Sequence, residues 1–131
     1  MSYVDGFLLA VPKAQLEEYK AMARKACDVW MEHGALAYAE CTGEDVPYGE
    51  LTSFPRAVQA KEDEIVIFSW IVYKSRKDRD EILEKVMSDP RLKGDMGKYA
   101  LRWKAHDLRW LRLLPECPEG AGALEKRGGP F

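Results

Sequence analysis

Histidine and cysteine, the side chains from which many metal and nucleophile sites are built, are scarce in this chain. Its 131 residues include two histidines, His33 and His106, and three cysteines, Cys27, Cys41 and Cys117. No His-x-x-x-His or Cys-x-x-Cys spacing occurs, so the sequence predicts neither a metal site nor a dithiol redox site. Three widely spaced cysteines are typical of free thiols in a reducing compartment.

Long apolar runs and targeting signals are also missing. The longest mainly apolar stretch, residues 65–73, is interrupted by Ser69 and is far shorter than the roughly 20 residues that a membrane helix needs. The first residues lack the basic segment and the cleavage site of a signal peptide. We therefore predict a cytoplasmic protein without a membrane partner.

Phosphate-binding glycine patterns and a strong positive charge are absent as well. Neither G-x-G-x-x-G nor G-x-x-x-x-G-K-[ST] occurs. We therefore predict neither a nucleotide nor any other cofactor. The formal net charge is -2 and the isoelectric point is about 5.8. Such a balance provides no general attraction for nucleic acid, and we predict no specific nucleic-acid partner.

Apolar periodicity divides the first 94 residues into strands and amphipathic helices. Pro12 closes the first strand, and Gly34 is the predicted left-handed residue after the first helix. His33 lies in the last turn of that helix, where the helix dipole favours an imidazolium, so we predict a structural capping role for it rather than a catalytic one. The predicted elements are a strand at 3–11, a helix at 13–33, strands at 35–42, 56–60 and 65–73, and a helix from Ser75 to about Met87.

This order predicts an α+β domain with a ferredoxin-like β-α-β-β-α(-β) antiparallel sheet, completed by a strand after Gly94. Residues 65–73 are apolar on both faces of the strand, and so are residues 3–11. One layer of helices covers one face of a sheet, so we expect a second copy to cover the other face in a homodimer. We assign residues 1–94 to this domain and residues 95–131 to a divergent C-terminal segment.

Seven short motifs, in order, carry a family resemblance. They are Tyr3-Val4-Asp5-Gly6-Phe7, Ala10-Val11-Pro12, His33-Gly34-Ala35-Leu36, Asp45-Val46-Pro47, Thr52-Ser53-Phe54-Pro55-Arg56-Ala57-Val58, Phe68-Ser69-Trp70 and Met87-Ser88-Asp89-Pro90-Arg91. Over residues 1–94 the chain resembles the YbaA-like family of small bacterial proteins of unknown function. The resemblance implies a ferredoxin-like dimeric α/β barrel and implies no activity.

The segment from Lys98 departs from the family, whose members end in a strand reading approximately M-P-F-D-G-K-R-M-I-Y-G-G-F. Back-translation of residues 99–112 can spell that strand in another reading frame, so we hypothesise that a frame shift produced this tail. Tyr99, Leu101 and Trp103 alternate as in a substitute strand, but the spacing of residues 98–114 also allows a helix. The basic charge of residues 98–112 is then accidental.

The candidate site residues are polar or amphipathic groups within apolar strands. Asp5 is the candidate catalytic base, because burial in the middle of a strand would raise its pKa unless a cation pairs with it. The alternative is a structural salt bridge, for which Arg56 is the expected partner. The candidate ligand-binding residues are Tyr3, Glu40, Ser69, Trp70 and Tyr73.

Two classes of function follow from these residues. The first is a protein that binds a small apolar molecule, or a cofactor-free enzyme of the monooxygenase or isomerase type, with a cavity in the barrel. The second is a non-catalytic dimeric interaction module. A cavity containing unpaired Asp5 or Glu40 would favour the first class, and one filled by Phe68 and Trp70 would favour the second.

Overall fold

The computed structural model of the chain describes residues 2–93 and 110–112. A turn of 3-10 helix at Lys13–Gln15 follows the first strand. The elements are β1 (Tyr3–Pro12), α1 (Leu16–Glu32), β2 (Ala37–Thr42), α2 (Phe54–Ala57), β3 (Glu64–Tyr73), α3 (Arg76–Ser88) and β4 (Trp110–Arg112). The predicted α+β class is confirmed.

The sheet is antiparallel and has the order β2-β3-β1-β4. The two ten-residue strands pair along their whole length, from Tyr3 opposite Tyr73 to Pro12 opposite Glu64. Their β-branched and aromatic side chains favour this extended pairing. β2 joins the other edge of β3 through six residues, and β4 joins β1 beside residues 3–5.

Helix α1 lies on the sheet through the apolar stripe that its sequence predicts. The buried residues Tyr19, Ala23, Ala26 and Trp30 recur at helical spacing and pack against β1 and β3. His33 is the C-cap residue, and the next residue, Gly34, has a φ of 113°. The predicted left-handed end of the first helix is therefore confirmed.

An ion cluster joins the C-terminal ends of α1 and α3. Asp89 is nearly buried, and its carboxylate accepts hydrogen bonds from the Arg91 side chain and lies 3.0 Å from Nε2 of His33. Arg91 also contacts the Glu32 carboxylate at 2.7 Å. Hydrogen bonds from Arg91 and His33 hold the pKa of Asp89 well below its usual value. His33 therefore connects the two helices in addition to its place at the helix end.

The predicted strand at residues 56–60 is wrong. That region instead contains the short helix α2, with Pro55 in its first turn and Ser53 as its N-cap. The Ser53 hydroxyl accepts a hydrogen bond from the backbone N–H of Arg56 at 3.2 Å. A serine cap followed by proline in the first turn favours a helix start over an extended chain.

The two faces of the sheet differ in what covers them. Alternate residues of β1 and β3 face α1 and α3, and this helix face contains the two buried clusters of the core. The opposite side, here named the open face, is formed by Val4, Gly6, Leu8, Ala10, Ala37, Ala39, Cys41, Val66, Phe68, Trp70 and Val72. In the same alternation, Glu64 lies opposite Pro12 at the end of β3 and is the one charged residue of this face. Val4 and Val66 are buried, and Phe68 remains 36% exposed.

Other predictions concern parts of the chain that the structure describes little or not at all. The alternative of strand or helix for residues 98–114 falls outside the described residues, except for the short β4, and so do Cys117, His106 and the frame-shift hypothesis. Within residues 2–93, no helix is long and apolar enough to cross a membrane.

Candidate functional site

Asp5 lies in the centre of the helix face, where a carboxyl group is costly to bury. Its neighbours on the same face of β1 are Tyr3 and Phe7, which pack against the core. Only 2% of Asp5 is exposed. Burial raises the pKa of Asp5 to about 6, against the lowering effects of Arg79 and of a hydrogen bond from Tyr73. The pKa of this carboxyl group therefore lies closer to neutral pH than that of an exposed aspartate.

The cation beside Asp5 is Arg79 of α3. Its Nε atom lies 3.8 Å from Oδ1 of Asp5, which is too long for a hydrogen bond. Oδ1 of Asp5 has no hydrogen-bond partner among the described residues. Arg79 also donates from Nη2 to the Tyr3 hydroxyl at 3.2 Å, and its Nη1 lies 3.0 Å from the exposed Asp80.

The expected pairing of Asp5 with Arg56 is wrong. Arg56 belongs to α2 and donates from Nε to the carbonyl of Tyr48 and from Nη2 to that of Gly49, both at 2.9 Å. Its guanidinium also stacks over the Tyr48 ring at 4.1 Å. Arg56 thus fastens its own loop, and the buried carboxyl takes its cation from the helix that packs over β1.

A chain of hydrogen bonds leads from α1 to Asp5. The indole Nε1 of Trp30 donates to the Tyr73 hydroxyl at 3.0 Å, and that hydroxyl is hydrogen-bonded to Asp5. Burial raises the pKa of Tyr73 above its usual value, so the tyrosine keeps its proton. Tyr73 therefore acts as a donor that holds the Asp5 carboxylate in place.

A second carboxyl group, the partly buried Glu40, lies on the same face of the sheet. It accepts hydrogen bonds from the hydroxyls of Tyr19 at 2.7 Å and Tyr38 at 2.9 Å, and it is also hydrogen-bonded to Ser69. Burial raises the pKa of Glu40, and the three hydroxyls partly offset the increase. The Glu40 carboxylate is therefore stabilised by hydroxyl donors, whereas the Asp5 carboxylate lies beside the guanidinium of Arg79.

The strand register separates the predicted site residues into two groups. Tyr3, Asp5 and Tyr73 lie together, as do Glu40 and Ser69, and the geometry of the sheet puts about 12 Å between the two carboxyl-bearing positions. Trp70 belongs to the open face and contacts neither group, because its side chain points away from the helices.

Four members of these groups were not in the predicted set: Tyr19, Trp30, Tyr38 and Arg79. A signal for Arg79 exists in the sequence, because it precedes Ile82 by three residues and so shares the buried stripe of α3. An arginine on an apolar stripe indicates a buried acid as its partner. Nothing in the local spacing identifies which acid that is.

A cleft lies elsewhere, between the 43–60 loop and the start of β3. Its volume is about 660 Å³, within the usual range for small-molecule sites. The lining residues include Lys13, Lys61, Glu44, Glu62 and Glu64, beside the apolar Val46, Pro55 and Ile65. Neither Asp5 nor Glu40 lines it.

The described part of the chain shows no arrangement of side chains suited to a metal ion. No cluster of three or more histidine, cysteine, aspartate or glutamate side chains there could hold a metal ion. Cys27 and Cys41 are both free thiols. Burial raises the pKa of the Cys27 thiol, which lowers its reactivity.

Comparison with known proteins gives a consistent family match. A sequence profile described as "Protein of unknown function (DUF1428)" matches residues 2–102. The chain is 50% identical over 93 residues to "Uncharacterized protein YbaA" of Escherichia coli (strain K12), and equally to the protein of that name from Shigella flexneri. Each alignment covers 71% of this chain and 80% of the relative.

Proposed function

This chain belongs to the DUF1428 family and is similar to YbaA, and we propose that it is a dimeric, cofactor-free protein that binds a small molecule and transfers a proton through Asp5. The observation that carries the proposal is the buried Oδ1 of Asp5, which has no hydrogen-bond partner among the described residues. Buried polar atoms are nearly always paired, and exceptions are frequent where a ligand binds.

The groups around Asp5 suit proton abstraction next to a carbonyl. A carboxyl group with a pKa of about 6 is a competent base near neutral pH. Arg79, 3.8 Å from Asp5, supplies positive charge where an enolate oxygen would develop, and Tyr73 orients the carboxylate. The substrate class is a small, largely apolar compound with an acidic C–H, as in isomerases and cofactor-free monooxygenases.

The assembly that we propose is a ferredoxin-like dimeric α/β barrel. The strand order β2-β3-β1-β4, with α1 and α3 packed on one side, supports the ferredoxin-like assignment. The largely apolar open face supports a second copy of this chain as the partner, because a contiguous apolar patch often marks a contact between proteins. We place the protein in the cytoplasm, in keeping with the free thiols Cys27 and Cys41.

Hydrogen–deuterium exchange at substrate carbon atoms tests the proposed chemistry. A panel of small enolisable ketones and keto acids is incubated with the protein in D₂O, and loss of the α-proton signal is followed by NMR. We expect enzyme-dependent exchange for at least one compound and its loss in Asp5→Asn. Asp80→Asn serves as the control, because Asp80 is an exposed partner of the same arginine.

The alternative is a non-catalytic dimeric interaction module. It is favoured by the described cleft, which neither Asp5 nor Glu40 lines, and by the aromatic side chains Phe68 and Trp70 on the open face. No exchange for any compound, together with an unaltered melting temperature in their presence, would support this alternative over proton transfer.

A further inference from the structure

The loop between β2 and α2 is rigidly built although it contains no regular secondary structure before Ser53. Arg56 binds the carbonyls of Tyr48 and Gly49, and the Ser53 hydroxyl donates to the Tyr48 carbonyl at 2.6 Å. Gly49 has a φ of 66°, and a Cβ there would lie 2.8 Å from the Thr52 carbonyl oxygen. The loop therefore presents its side chains in a defined arrangement.

That arrangement exposes apolar groups. Tyr48 is 56% exposed, Leu51 is 97% exposed and Phe54 is 50% exposed. These are three of the six large apolar side chains that are exposed among the described residues. A rigid loop that holds leucine almost wholly in water is typical of a contact surface.

The same loop adjoins the open face. The ring of Phe54 stacks on that of Phe68, with 5.8 Å between their centroids, and Phe68 in turn contacts Trp70 at 5.4 Å. Exposed apolar surface thus continues from the strands onto the loop. The one charged residue in the alternation of this face, Glu64, lies at the end of β3, where its carboxylate accepts a hydrogen bond from the Lys61 backbone N–H at 2.8 Å.

The open face is smaller than the surface that each partner of a stable complex usually buries. From the usual rise and spacing of strands, β1, β2 and β3 project an area of about 400 Å². Each partner in a stable complex usually buries about 800 Å². A sheet-to-sheet dimer therefore gains stability from apolar contacts beside the strands, and residues 48–54 are in a position to provide them.

We propose that residues 48–54 form a dimer arm, in which Leu51 of one copy packs against the open face of the second copy. The inference rests on the proposed sheet-to-sheet dimer and assigns it a second contact. In a two-fold symmetric dimer each copy supplies one arm and receives the other, so a change at residue 51 acts twice.

Sedimentation equilibrium over a micromolar to submillimolar concentration series tests the arm. The variants are Leu51→Asp, Leu51→Ala, Trp70→Asp on the open face, and Met87→Asp as the matched control. Met87 is 49% exposed but lies on α3, on the other side of the sheet. We expect Leu51→Asp to weaken dimerisation at least about tenfold, or about 1.4 kcal/mol, and Met87→Asp to leave it unchanged.

The outcomes separate the arm from the dimer itself. A wild-type dimer that Trp70→Asp disrupts while Leu51→Asp does not would overturn the arm and leave the proposed dimer standing. A wild-type monomer throughout the series would overturn both. Equal weakening by Met87→Asp would also overturn the arm, and Leu51→Ala provides the comparison if Leu51→Asp fails to fold.

Discussion

Asp5 makes the free energy of unfolding depend on pH. The direction is opposite to that of an aspartate whose pKa is lowered on folding. Its folded pKa of about 6 lies above the ordinary value of 3.8, so the unfolded chain loses this proton first as pH rises. Between these values the folded state binds more protons than the unfolded state, and stability falls with increasing pH. Above about pH 6 both states are ionised at Asp5, and its contribution becomes constant.

Asp5→Asn is expected to remove this pH dependence. The wild-type free energy of unfolding should fall by about 2 to 3 kcal/mol from pH 4 to pH 7 through Asp5, and the difference between wild type and Asp5→Asn isolates that part. Urea unfolding at a series of pH values measures it. Asp80→Asn, as control, should keep the wild-type profile, and an equal slope in Asp5→Asn would contradict the assigned pKa.

Glu40 depends on neutral hydroxyls rather than on a cation. Tyr19→Phe removes the 2.7 Å hydrogen bond to its carboxylate, and we expect a loss of about 1 kcal/mol in unfolding free energy. The pKa of Glu40 should increase further, because a group that stabilises the ionised form is gone. Carboxyl NMR titration measures the pKa, and Tyr48→Phe is a control at an exposed ring. An unchanged Glu40 titration in Tyr19→Phe would show that this bond does not stabilise the carboxylate.

At the scale of the elements, the conformation of the loop at residues 43–53 depends on the side chain of Arg56. Arg56 makes forked hydrogen bonds to two carbonyls and stacks on an aromatic ring, which a lysine cannot reproduce. The loop is long for a connection between a strand and a short helix. Hydrogen bonds from Arg56 to the carbonyls of Tyr48 and Gly49 take the place of the backbone pairing that a strand or helix would provide.

Arg56→Lys should therefore loosen the loop without unfolding the domain. We expect limited proteolysis to cut within residues 44–53 several-fold faster in Arg56→Lys than in wild type, with little change in melting temperature. Arg24→Lys, on the exposed surface of α1, makes the same chemical change and should leave the cutting rate unaltered. Equal rates in all three proteins would show that Arg56 does not hold the loop.

At the scale of the whole molecule, the open face is the surface on which the proposed dimer depends. Its side chains are uncharged across three strands except for Glu64 at the end of β3, and its one cysteine among the described residues, Cys41, is exposed and free. The reactivity of the Cys41 thiol can therefore show whether another molecule covers this face. The partly buried Cys27 lies on α1, away from the open face.

Dimerisation through the open face should protect Cys41 from a maleimide reagent. We expect its modification rate, followed by peptide mass spectrometry, to fall several-fold as protein concentration increases. In Trp70→Asp, which introduces a charge on that face, the rate should not depend on concentration. A wild-type rate that is equally independent of concentration would count against sheet-to-sheet pairing.

The sequence predicted the elements well wherever one periodicity persisted. The helices at residues 13–33 and from Ser75 to about Met87 correspond to α1 and α3, and the strand at 65–73 to β3. The prediction failed at residues 56–60, where five residues are too few to show a period. There, the capping by Ser53 and the proline in the first turn decided the structure.

The candidate site was predictable in part for the same reason. By itself the sequence determined that Asp5 shares the phase of the core residues, since alternation along a strand is local. Only the tertiary structure decided that Arg79 lies beside it, that Trp30 and Tyr73 are joined, and that Trp70 faces away from Glu40. Periodicity states which face a residue occupies, but the partner across that face depends on how distant elements pack.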